Sequence, residues 1–176
     1  LGRNPVWDWT ILVTASDFWV YLAYYASFLI LLACGWTRRK EDYGQIFGYI
    51  VFAAAVVMVA EDMADLIADN LHRMLPWKEG VISEIKRSYD AEFFQMHKHE
   101  GVVDDTASAL FCLFFIAIAR FPRAAWATLG MLLLYALSSL IVGTQWLSVL
   151  ASSAVMGILF AGLGMSWSKG IVRYHE

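Results

Sequence analysis

The sequence predicts an all-α membrane protein, built as one bundle of about five transmembrane helices. Apolar residues make up 60% of the 176 residues and charged residues only 16%, whereas a soluble domain has about 25% charged residues. Several uncharged stretches approach the roughly 20 residues that cross a hydrocarbon core about 30 Å thick. The aromatic share is 15%, with eight Trp, which suits side chains at a lipid–water interface. The net charge of −3 offers no basic surface for nucleic acid.

The five spans follow from where charged residues stop. Phe18 to Trp36 is uncharged, as are Tyr43 to Ala60 and Thr106 to Ala119. Ala124 to Ser168 also lacks charge and is long enough for two spans, with a turn at Gly143-Thr144-Gln145. The predicted spans are 17–36, 43–69, 104–120, 124–142 and 146–166, with a long loop at 70–103.

Basic residues in short loops set the expected orientation, because such loops stay cytoplasmic. Three basic clusters, at 38–40, 120–123 and 169–173, fall on one side of a five-span chain. The loop at 70–103 and the turn at 142–146 then face outward. Residues 4–14 are expected to lie on the outer surface as an interfacial helix. No signal peptide is expected, since the chain shows no basic region followed by a cleavage site.

Acidic and imidazole side chains gather at two places on the predicted outer side. The first group closes the second span on one helix face, and comprises Glu61, Asp62, Asp65, Asp69 and His72. The second group precedes the third span, and comprises His97, His99, Glu100, Asp104 and Asp105. Both groups are expected to converge on one pocket.

Close carboxylates need protons, basic partners or a metal cation, and carboxylate with imidazole suits several divalent metals. We therefore predict a divalent-metal site of unspecified identity. The expected metal ligands are Asp62, Asp65, Asp69, His97, His99 and Asp104; the expected catalytic groups are Glu61, Glu100 and Asp105; the expected substrate contacts are His72, Gln145 and Trp146. Two alternatives stay open, a salt-bridged structural cluster and a solvated helix rim, in which Asp105 or Thr106 only caps the third span.

Small residues recur at helical spacing in the last span, at Ser153, Gly157, Ala161 and Gly164. This spacing predicts close packing against another helix. The two cysteines, Cys34 and Cys112, lie in apolar stretches without metal-ligand spacing, and we expect buried thiols.

The order of spans resembles the type 2 phosphatidic acid phosphatases, a family of membrane lipid phosphatases. Three segments carry the resemblance, LIADNLHRMLP at 66–76, VVDDTASALF at 102–111 and SSLIVGTQWLSVLASSAVMG at 138–157. The resemblance implies the family's helical fold and a lipid phosphate as the ligand class.

The positions that carry the family's chemistry differ in this chain. Where the family has its nucleophilic His, this sequence has Asp105, and the phosphate-binding Arg is replaced by Ser139. Gln145 stands at the second His, and Val149 at the Asp that accompanies it. The Lys position falls near Asp69, and Leu75 replaces the Arg before Pro76. The family's reaction is therefore not expected in its usual form.

Two functions remain open on the sequence. One is a metal-dependent phosphatase or phosphotransferase that acts on a lipid or polyprenyl phosphate at the outer leaflet. The other is a non-catalytic relative, a subunit or lipid-binding partner in a larger membrane complex.

Overall fold

The computed structural model describes residues 5–14, 16–36, 47–49, 51–55, 58–59, 62, 103–142 and 145–173. Five helices are defined, α1 Pro5–Thr14, α2 Asp17–Trp36, α3 Asp105–Arg120, α4 Pro122–Val142 and α5 Leu147–Arg173. Residues 47–49 and 51–55 are also helical, within the predicted second span. The regular elements of the described residues are all helices, which confirms the all-α class.

In the described part of the chain, two helical stretches are long and apolar enough to cross a membrane, Pro122–Val142 and Leu147–Trp167. A third apolar helical stretch, Phe18–Cys34, is slightly shorter. The number of spans in the whole chain stays a prediction, because the predicted second span lies largely outside the described residues.

The boundary between α3 and α4 follows from one proline. Pro122 disfavours helical backbone at the residue before it, and Phe121 leaves the helix with φ −136° and ψ 67°. The Phe121 amide still donates to the Ala117 carbonyl at 2.7 Å and closes the last turn of α3. Pro122 then takes the first position of α4, where a missing N–H costs nothing.

Helix α3 lies at the centre of the bundle and contacts α2, α4 and α5. An apolar cluster packs around its C-terminal half, with Leu31, Ile116 and Phe121 among its members. At its N-terminal half a second apolar cluster includes Leu110 and Tyr135. We call this second half the Asp104 end, where α2, α3 and α5 begin and α4 finishes.

The backbones of α3 and α5 touch at Gly157. A Cβ at this position would lie 2.5 Å from the Phe111 Cβ, 2.8 Å from the Cys112 amide nitrogen and 2.9 Å from the Ser108 carbonyl oxygen. Ser153, Gly157, Ala161 and Gly164 are all buried. The close packing predicted from this stripe is confirmed, and no larger residue than glycine fits at 157 without a shift of the helices.

The outward faces of α2, α4 and α5 carry large apolar side chains. Tyr25, Trp126, Leu133 and Leu159 are examples, with Trp126 77% exposed. A soluble monomer rarely exposes a continuous apolar area of more than a few hundred Å². The surface of these helices is therefore suited to an apolar surrounding.

Candidate functional site

Asp104 is the centre of the polar groups at the Asp104 end, and it has no exposed surface. It precedes α3 in extended conformation, with φ −96° and ψ 125°. Its Oδ1 accepts the Ala107 amide at 2.6 Å. This is the geometry of a helix N-cap, which satisfies one of the free amides of the first turn.

Two further donors reach the other oxygen of the same carboxylate. The Tyr135 hydroxyl, from α4, donates to Asp104 Oδ2 at 2.7 Å. The Gln145 Nε2, from the turn between α4 and α5, donates to the same Oδ2 and to the Tyr135 oxygen at 2.6 Å. We call these three residues the Asp104 triangle. Tyr135 is fully buried and Gln145 is 2% exposed, so among the described residues three uncharged donors reach this buried carboxylate.

Two serines fix the backbone of Asp104. The Asp104 amide donates to the Ser153 Oγ of α5 at 2.9 Å. The Ser153 hydroxyl in turn donates to the Asp104 carbonyl oxygen at 3.2 Å. The Ser108 hydroxyl donates to the same carbonyl at 2.6 Å. Both serines are fully buried. The side chain of Asp104 therefore connects α3 to α4, and its main chain connects α3 to α5.

A hydroxyl pair joins α1 to the bundle one turn from the triangle. Thr14 and Ser138 share a hydrogen bond between their side-chain oxygens, and both residues are buried. Thr14 also donates to the Thr10 carbonyl at 2.8 Å. Ser138 lies three residues after Tyr135, so both face the interior of the bundle from α4.

The structure brings together two of the predicted site residues, Asp104 and Gln145. Asp105 is half-buried, and the Thr106 hydroxyl donates to its Oδ1 at 3.4 Å. Trp146 is half-buried, and its carbonyl accepts the Val149 amide at 3.0 Å. Asp62 is exposed. The other predicted residues, Glu61, Asp65, Asp69, His72, His97, His99 and Glu100, lie outside the described residues.

Within the described ranges, no group of three or more His, Cys, Asp or Glu side chains is placed to hold a metal ion. The Asp104 carboxylate accepts the Ala107 amide at the helix cap and hydrogen bonds from Tyr135 and Gln145. The convergence of the two acidic groups and the divalent metal stay predictions, because most of their residues lie beyond the described part.

Sequence reasoning missed Tyr135 and the serines that hold Asp104. A usable signal was the face of α4, where Thr128, Tyr135, Ser138 and Ser139 are buried. Polar residues that recur on one face of an apolar span mark its inward side. An Asp that directly precedes a helix, as Asp104 does, can accept a hydrogen bond from a backbone amide of the first turn.

Comparisons with protein-family models, with curated proteins and with solved structures give no match. The resemblance to the phosphatidic acid phosphatases therefore stays a prediction. Among the residues that stand at the family's catalytic positions in this resemblance, Gln145 belongs to the triangle, and Ser139 and Val149 are buried.

Proposed function

We propose that this chain is a non-catalytic membrane protein with the layout of a type 2 phosphatidic acid phosphatase. In this proposal it serves as a subunit or lipid-binding partner in a larger membrane complex, and Asp104 joins helices instead of performing chemistry. The observation that carries the proposal is the burial of Asp104 among three neutral hydrogen-bond donors.

Insertion in a membrane is supported by the two long apolar stretches, Pro122–Val142 and Leu147–Trp167. Their outward faces carry exposed Leu, Ile and Trp side chains. In water such a surface would drive association, whereas lipid tails accept it without cost. Tyr135 and Ser153, polar residues in the middle parts of the same helices, are fully buried, as the low polarity of lipid requires.

The chemistry of Asp104 favours a structural role. A general base must come within about 3 Å of the proton that it removes, and a metal ligand must offer a free lone pair to the ion. The Asp104 side chain already accepts hydrogen bonds from Ala107, Tyr135 and Gln145. With no exposed surface, Asp104 is placed to hold a helix start and not to meet a substrate.

The opposing function, a metal-dependent phosphatase or phosphotransferase, depends mainly on acids outside the described residues. It makes a different prediction for Asp104, which it assigns as a metal ligand. One set of variants therefore decides between the two functions.

The test compares Asp104→Asn and Asp104→Ala with the control Asp105→Asn, in detergent-purified protein. Metal content is measured by inductively coupled plasma mass spectrometry with and without added Mg²⁺, Mn²⁺ or Zn²⁺. Phosphate release is measured from phosphatidic acid and from a polyprenyl phosphate. Stability is measured by thermal unfolding. We expect no change in metal content or phosphate release. We expect Asp104→Ala to lower the free energy of unfolding by about 2–4 kcal/mol, because it removes the cap and strands two donors.

Asp105→Asn removes an acid from the first turn of α3 without touching the triangle, and we expect it to lower the free energy of unfolding by less than about 1 kcal/mol. It is the control for stability only, because the enzyme alternative assigns Asp105 a catalytic role. A stoichiometric metal that disappears in Asp104→Asn, or a phosphatase activity that this variant abolishes while it stays folded, would overturn the proposal and favour the enzyme.

A further inference from the structure

Charged residues divide between the two ends of the four long helices, α2 to α5. The acids stand at the Asp104 end, and they are Asp17, Asp104 and Asp105. The bases stand at the opposite end, and they are Arg120, Arg123, Lys169 and Arg173. We call this opposite end, where α2, α3 and α5 finish and α4 begins, the basic end. Within α2 to α5 it carries no acid that would balance its positive charge.

The length of α5 carries its two bases beyond the hydrocarbon of a membrane. The apolar part of α5, Leu147–Trp167, has 21 residues. At about 1.5 Å per residue it spans roughly 30 Å, which is the thickness of a hydrocarbon core. The helix continues to Arg173, about 9 Å further along its axis. This extension matches the headgroup layer, which is about 5–8 Å thick on each side of the core.

The start of α4 has the same order of side chains with depth. Arg123 and Trp126 are three residues apart and share one face of the helix. Both are exposed, Trp126 by 77%. Indoles prefer the boundary between hydrocarbon and headgroups, and Arg123 lies about 4.5 Å further out along α4. Side chains on a helix tilt towards its N-terminus, which in α4 is the outward direction, so Arg123 reaches into the headgroup layer when Trp126 lies at the boundary.

The chemistry of this end fits an anionic lipid. A guanidinium forms paired hydrogen bonds with a phosphate, and each Lys or Arg near an anionic membrane surface gains about 1 kcal/mol. Every phospholipid has a phosphate, but the choline of phosphatidylcholine offsets its charge, and the basic end has an excess of positive charge to match. Trp126 beside Arg123 favours a lipid over an acidic protein surface, because a leaflet is apolar at the depth of the indole and anionic above it.

We propose that the basic end binds anionic phospholipid, with Arg123 in contact with a phosphate and Trp126 at the glycerol level below it. The inference rests on the proposed membrane location and names the lipid class for the lipid-binding role. It also places the basic end in the leaflet that carries anionic lipid.

The experiment offers the detergent-purified full chain equal amounts of phosphatidylglycerol and phosphatidylcholine with identical acyl chains. Lipids that stay bound are counted by native mass spectrometry. We expect phosphatidylglycerol to be retained in preference. The preference should decrease as ammonium acetate is raised above about 0.1 M, because exposed charges at that concentration already act over only about 10 Å.

The decisive variant is Arg123→Gln, which removes the charge beside Trp126. We expect it to reduce the preference for phosphatidylglycerol about fivefold, which corresponds to roughly 1 kcal/mol. Arg123→Lys keeps the charge and should retain most of the preference. The matched control is Ala127→Gln, since Ala127 is exposed on the same turn of α4 and its replacement leaves the charge unchanged. The double variant Lys169→Gln, Arg173→Gln tests α5 separately and should also lower the preference.

Equal retention of the two lipids would overturn the inference and leave an acidic protein surface as the partner of the basic end. A preference that Arg123→Gln leaves intact in folded protein would overturn it as well. Resistance of the chain to alkaline extraction from membranes is measured in parallel. If the chain is extracted, the membrane location itself fails; if it resists extraction while both lipids are retained equally, only the anionic-lipid site fails.

Discussion

Replacing Gly157 by Ala tests how tightly α5 is packed on α3. The added methyl carbon would lie 2.5–2.9 Å from atoms of Ser108, Phe111 and Cys112, whereas carbon atoms in contact lie about 3.5–4.0 Å apart. Two of the three obstacles are backbone atoms, so the helices must separate locally by about 1 Å. Overpacking of this kind costs about 1–3 kcal/mol, and we expect a fall in Tm of roughly 2–12 °C at this chain length.

The control is Gly162→Ala, on the same helix, where an added Cβ meets no atom within 4 Å. It gains up to about 1 kcal/mol of helix propensity without a clash, so we expect unchanged or higher stability. Both variants are unfolded thermally in one detergent, and the transition is followed by tryptophan fluorescence. Equal Tm values for Gly157→Ala and Gly162→Ala would refute the close approach of α3 and α5.

Three further predictions concern the triangle, α1 and the outer surface. Tyr135→Phe removes one donor from buried Asp104 and should lower the free energy of unfolding by about 1–2 kcal/mol; a thermal transition identical to that of the parent protein would contradict the triangle. Ser138→Ala removes the side-chain partner of Thr14 and should increase hydrogen exchange in α1, with a loss of about 0.6 kcal/mol, typical of hydrogen bonds in membrane proteins; unchanged exchange would show that the pair does not hold α1. Leu133→Lys places a charge on an exposed position near the middle of α4 and should reduce membrane insertion, since such a charge costs about 2.5–3.5 kcal/mol; insertion equal to that of the parent would contradict a lipid-facing α4.

The helices were predictable where composition alone determines them. A long uncharged stretch predicts a helix, because in lipid the backbone N–H and C=O groups must form their hydrogen bonds within the segment itself. The start of α4 at Pro122 and the turn near Gln145 also follow from residues with strong local preferences. The packing of α5 on α3 followed from the spacing of its small residues. The number of spans stays a prediction, because most of 43–69 falls outside the described residues.

The site was predictable only in part, and for a physical reason. A buried acid in an apolar chain is costly and therefore conspicuous, which is why Asp104 was selected. Its role depends on its neighbours in space, and Tyr135 lies 31 residues away in the sequence. Asp104 is expected to be a metal ligand because other acids lie near it in the chain. Within the described residues its carboxylate accepts hydrogen bonds from an amide, a phenol and a carboxamide, and the metal stays a prediction.

The distribution of polar groups along the bundle gives a reason for the triangle that requires no reaction. At the far end, an apolar cluster surrounds Ile116 and Phe121, and the buried Thr128 beside it donates to carbonyls of its own helix. Helices in lipid gain little from burying apolar surface, because their surroundings are as apolar as their core, so such contacts alone leave the relative positions of the helices weakly defined. Directional hydrogen bonds at Asp104 restrict sliding of α3 against α4 and α5, and the contact at Gly157 fixes the distance between α3 and α5. A single buried polar residue can define helix register at some cost in stability. On this argument, replacing Asp104 should loosen the arrangement of all three helices together, which a local catalytic role would not require.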